Sequence, residues 1–168
     1  MANPKNPSAE ITNEKLPDFS KWETEQTGFD PYWTPAEGKF FFGHPVSRDD
    51  SDPDFVRYRF KSLMTLQCHT GPKEEQEPVT VKPGEYFSVS VYYALDPKFN
   101  EYMESGLFPA IRVEAIKEVK TKKPGQTCWK FDLKISPDDR KRIDSYRKEK
   151  AQLMAEKRAE RAALQEAS

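Results

Sequence analysis

Three cations recur at alternate positions in one segment of the chain: Arg57, Arg59 and Lys61. In an extended strand, residues two apart project to the same side about 6.6 Å from one another. The three would form a row with a spacing close to that of an extended nucleotide backbone. Aromatic residues are expected on neighbouring polar faces. These are Tyr86 and Tyr92 on a later strand, and Phe41, which falls out of phase with the core candidates Phe40 and Phe42. Arg112 faces the polar side of a further strand, and Lys120, Lys122 and Lys123 crowd a hairpin tip. Cations for phosphates and flat rings for bases, each stacked base worth about 1–3 kcal/mol, are the two ingredients of a single-strand nucleic-acid surface.

Other chemistry finds less support. No Gly-x-Gly-x-x-Gly, phosphate-binding loop, His-Glu-x-x-His or Cys-x-x-Cys pattern occurs, so no catalytic residues and no enzymatic activity are expected. The two histidines, His44 and His69, and the two cysteines, Cys68 and Cys128, lack metal-ligand spacing. Cys68 shares a face with Met64 and Leu66 and reads as a buried core thiol. Asp49, Asp50, Asp52 and Asp54 do not form a twelve-residue calcium loop and read as a solvated acidic turn. No cofactor and no metal are expected. These aspartates and Glu74, Glu75 and Glu77 would repel a nucleic acid passing close by.

The elements that must position the cations follow from period-two patterning. Residues 1–28 form a leader rich in Asn, Pro, Ser and Glu without periodicity, expected to be mobile or loosely laid on the domain. Residues 29–136 carry five strand-like runs. The first is Lys39 to Val46. The second, Val56 to His69, points Tyr58, Phe60, Ser62, Met64, Leu66 and Cys68 inward. Val79–Val81 and the turn Lys82-Pro-Gly-Glu85 lead to the third, Tyr86 to Leu95, with Phe87, Val89, Val91 and Tyr93 inward. A short helix, Asp96 to Gly106, has Pro97 at its first turn, Asp96 as a cap and Gly106 as its stop. The fourth strand is Phe108 to Val119. The fifth, Thr127 to Ile135, points Trp129, Phe131, Leu133 and Ile135 inward. Ser136-Pro-Asp-Asp139 then starts a charged helix within residues 137–168, whose apolar stripe is thin.

Composition agrees with a small aromatic core carrying solvated segments. Of the 168 residues 12% are aromatic, too many for a disordered chain, while 33% are charged. The formal net charge of -1 divides into -4 over residues 1–37, +1 over 38–136 and +2 over 137–168, so it neither demands nor excludes a polyanionic partner. No apolar run approaches the roughly 20 residues needed to cross a bilayer. No secretory signal opens the chain, and two cysteines make no disulfide framework, so a reducing cytoplasm is the expected compartment.

Three strands, a short helix, two strands and a terminal helix give the element order of a mainly β, five-stranded OB-like antiparallel barrel with a long C-terminal helix. The chain resembles OB-fold single-stranded DNA-binding proteins of the kind bacteriophages encode. The resemblance is carried by Trp33-Thr-Pro-Ala-Glu-Gly38 ahead of the first strand, Val81-Lys-Pro-Gly-Glu85 before the third, and Gly106 closing the helix, over about residues 30–136. It implies sequence-independent binding of single-stranded DNA, with RNA as a further candidate, and protection of the strand in replication or recombination. A phage origin would place the protein in the host cytoplasm. Many such proteins end in an acidic tail, whereas this chain ends Glu166-Ala-Ser168 after a mixed-charge helix. The rival expectation is an adaptor that binds a protein partner through the barrel and the C-terminal helix.

Overall fold

A computed structural model of the chain describes residues 16–22, 30–70 and 77–167. Most of the expected leader, and Glu74 and Glu75 of the polar loop, lie outside the described residues. Among the described residues the protein is mainly β, with eight strands in one mixed sheet and a long C-terminal helix. The strands are β1 (Tyr32–Trp33), β2 (Phe40–Asp49), β3 (Arg57–Ser62), β4 (Leu66–His69), β5 (Pro78–Val81), β6 (Tyr86–Ser90), β7 (Ile111–Lys120) and β8 (Thr127–Ile135). The helices are α1 (Asp96–Glu104) and α2 (Pro137–Glu166), with a single 3-10 turn at Phe19–Lys21.

Strand order is β5-β4-β1-β6-β3-β2-β7-β8. All pairings are antiparallel except β1 with β6. This corrects the expected five-stranded barrel. The long second run breaks into β3 and β4, because the Ser62 hydroxyl donates to the Met64 carbonyl at 2.6 Å and turns the chain. Residues 78–81, expected only as the approach to the third run, form a strand of their own, β5, and β1 fills the gap between β4 and β6. Among the described residues no ladder joins the edge strand β8 back to β5 or β6, so the sheet is not closed.

The sheet is nevertheless strongly curled. In a flat sheet four strand spacings would hold β6 and β8 roughly 19 Å apart, yet Tyr92, just beyond β6, has its ring 5.1 Å from that of Phe131 in β8. The concave side holds one core: Trp33, Phe41, Tyr58, Phe60, Leu66, Cys68, Phe87, Val89, Phe99, Ile111, Val113 and Ala115 are buried in a single cluster. Gly43 lets two strands meet on β2, since a Cβ there would stand 2.5 Å from the Lys61 carbonyl oxygen.

Helix α1 lies against this core through Phe99 and Tyr102. Asp96, expected as its cap, does not cap: Leu95 stands at that position and the Asp96 carboxylate takes the buried Tyr58 hydroxyl instead. Gly106, at φ +71°, closes the helix as its sequence position suggests. Ser136 caps α2, its side chain accepting from the Asp139 amide at 3.1 Å. Only the first turns of α2 dock. Ile143 is buried, Arg147 pairs with Glu101 at 2.7 Å and Lys150 with Glu104 at 3.3 Å, and residues 151–167 are exposed. Within α2 the ion pairs are Asp139–Arg142 and Asp144–Arg147.

Candidate nucleic-acid interface

The convex side of β6, β3, β2 and β7 carries the expected cationic row. Alternation of β3 sends Tyr58, Phe60 and Ser62 inward, leaving Arg57, Arg59 and Lys61 outward. Register places Lys61 between His44 of β2 and Tyr86 of β6, and Arg59 beside Ser88. Four of the sequence candidates, Arg57, Arg59, Lys61 and Tyr86, thus form one patch. Arg112 joins it from β7, opposite Phe42 of β2.

Each arginine of the patch has an acidic partner. Arg57 donates to the Tyr32 hydroxyl at 2.6 Å and to Asp49 at 3.1 Å. Two bonds from the Ser51 amide and hydroxyl hold the Asp49 carboxyl below its ordinary value, with Arg57 adding to the effect. Arg59 donates to Asp30 at 2.7 Å, and its guanidinium carbon sits 3.9 Å from the centre of the Tyr86 ring. Arg112 pairs with Glu114 at 3.1 Å and lies 4.1 Å over the Phe40 ring. Lys61 is exposed and makes no ion pair among the described residues.

Five expected residues fall elsewhere. Phe41 points into the core at 0% exposure, its ring 4.8 Å from Trp33, 5.0 Å from Phe60 and 5.2 Å from Phe87. A buried ring cannot stack a base, so Phe41 is not a platform. The phase is dictated by β7: Phe41 pairs with Val113 and Gly43 with Ile111, both inward. Tyr92 lies past the end of β6, half-buried against Phe131, and burial pushes its hydroxyl up to about 12. The strand's early end also reverses the neighbouring position, so Tyr93, expected inward, is exposed. Lys120, Lys122 and Lys123 are exposed at the far end of the β7–β8 hairpin, roughly 26 Å along β7 from Arg112. They form an arm separate from the patch.

Residues that sequence reasoning passed over stand in the vacated places. Phe40 and Phe42 are each 37% exposed on the convex side, flanked by Leu63, which is also partly exposed and whose amide donates to the Phe42 carbonyl. His44 Nδ1 donates to the Phe108 carbonyl at 2.9 Å. Phe108 is 40% exposed and adopts φ +42°, a left-handed conformation uncommon for a residue of this size. The run of three phenylalanines was the available signal, since at least one ring of such a run must face away from the core.

Among the described residues no three His, Cys, Asp or Glu side chains gather as a metal-binding set. Cys68 is buried on β4 and Cys128 exposed on β8. No helix among the described residues is long and apolar enough to cross a membrane. No protein family, curated protein sequence or solved structure matches this chain.

Proposed function

We propose that the protein binds single-stranded DNA without sequence preference through the convex side of β6, β3, β2 and β7, and that it is not an enzyme. The observation carrying this reading is the interleaving of Lys61, Arg59 and Arg112 with the outward rings of Tyr86, Phe40 and Phe42 on one continuous surface. Cations meet phosphates and rings meet bases, and neither contact reads base identity. Arg57 contributes at the edge of the patch, and the lysines of the hairpin tip, Lys120, Lys122 and Lys123, extend the positive track as a second phosphate arm. Tyr92 belongs to the core margin rather than to the stacking set.

The fold reading follows the strand runs. Run one pairs with runs two and four, run two with run three, and run four with run five. That order supports an OB-like reading in which the seam between runs three and five is open. Protection of single strands in replication or recombination is the process this activity serves. The adaptor reading draws on a different observation: Leu153 and Met154, about half exposed, and Leu164 lie on the undocked part of α2. It predicts a protein partner and no oligonucleotide affinity.

Fluorescence anisotropy of a labelled oligo-dT at two salt concentrations, with duplex DNA as competitor, separates the two. Binding that weakens with salt and resists duplex supports the single-strand surface. Replacing Lys61 by Ala should then flatten the log–log salt slope by about 0.7, the value of one single-strand phosphate contact. No binding at low salt refutes the reading and leaves α2 as the surface to test.

A further inference from the structure

We infer that Asp30 is a built-in stand-in for a backbone phosphate, holding Arg59 down on the Tyr86 ring and so setting the affinity of the DNA surface. The inference rests on the single-strand reading. Its starting point is the place of Asp30 in the chain, one residue ahead of Pro31, whose carbonyl accepts from the Ser88 amide of β6 at 2.8 Å. That bond pins the approach to β1 beside Arg59, the register partner of Ser88. The carboxylate is then only 11% exposed and receives Arg59 through both oxygens, Nε to Oδ2 at 2.7 Å and Nη2 to Oδ1 at 3.4 Å. Guanidinium takes a phosphate with the same two-point fork.

Arg59 cannot serve Asp30 and a phosphate with the same donors. With its guanidinium 3.9 Å over Tyr86, it also covers one face of the ring on which a base would stack. Asp30 therefore masks one phosphate contact and one stacking face together. Arg59 is 39% exposed, so a phosphate can reach its guanidinium from the solvent side, while Asp30, 11% exposed, keeps the pair closed when no DNA is bound.

The test compares wild type, Asp30→Asn, Arg59→Ala and the double variant in oligo-dT titrations across salt, with urea unfolding to confirm each is folded. Asp30→Asn should tighten binding about 1.5- to 5-fold at low salt, the range set by a partly exposed ion pair. It should also steepen the salt slope by up to about 0.7, because Arg59 then releases its phosphate counterion without leaving a bare carboxylate behind. In the Arg59→Ala background the same change should do nothing to the slope. An equal gain in both backgrounds would mean a general charge effect and overturn the assignment, as would unchanged or weaker binding by folded Asp30→Asn.

A wild-type readout covers the case in which Asp30→Asn does not fold. Protons of Arg59 lying over Tyr86 are shielded by the ring, and their resonances should move downfield when oligo-dT binds. Bound DNA with those resonances unmoved refutes the masking alone, whereas no binding by any variant refutes the single-strand reading beneath it.

Discussion

Truncating Phe41 should chiefly cost stability, and truncating Phe42 should chiefly cost binding. The Phe41 ring is fully buried and packs edge-on against Trp33, Phe60 and Phe87. Phe→Ala at such a site costs about 3–5 kcal/mol through lost transfer energy and the cavity left behind. A domain of this size has only about 5–15 kcal/mol in total. With a urea dependence of about 2 kcal/mol per molar, the midpoint should fall by roughly 1.5–2.5 M. Phe42 keeps more than a third of its surface in water and leaves no sealed cavity. Its truncation should cost about 1–2 kcal/mol by area alone. In oligo-dT binding Phe42→Ala should lose about 1–3 kcal/mol if its ring stacks a base. Urea unfolding followed by Trp fluorescence is the assay for stability, and anisotropy for binding. Equal midpoint shifts, or a larger shift for Phe42→Ala, would show that β2 has the opposite phase and that the outward rings are misassigned.

Two further expectations concern the thiols and the docked helix. With a disulfide-exchange reagent Cys128 should react at once and Cys68 only on unfolding; two fast thiols would place Cys68 at the surface. Burial pushes the Cys68 thiol up to about 12. The folded protein therefore keeps a proton that the unfolded chain gives up, and this contribution is intact below about pH 9 and lost as pH rises toward 12. The fall in urea midpoint between pH 8 and pH 10.5 should accordingly be smaller in Cys68→Ala, and an identical fall would contradict it. At α2, Ile143→Ala should destabilise by about 2–5 kcal/mol, whereas Arg147→Ala, removing a partly exposed pair with Glu101, should cost at most about 1 kcal/mol. Equal costs in urea unfolding would mean that the ion pair seats the helix as much as the apolar contact does.

Much of this architecture was legible from local pattern. The alternation of β3 and β8, the cap at Ser136, the stop at Gly106 and the mainly β character with a terminal helix all rest on neighbours within a few residues, where side-chain period and backbone preference act directly. The cationic row of Arg57, Arg59 and Lys61 was legible for the same reason, since a strand's own period orients it. What lay beyond the sequence depended on contacts between distant segments. Three consecutive phenylalanines satisfy either phase of a strand, and only pairing of Phe41 with Val113 and Gly43 with Ile111 sends the middle ring inward. Tyr92 changed sides because β6 ends at Ser90 and the curl of the sheet brings Phe131 to meet it. The neutralisation of Arg59 by Asp30, 29 residues away, was equally invisible: local period says which way a side chain points, while the tertiary fold alone decides what waits there.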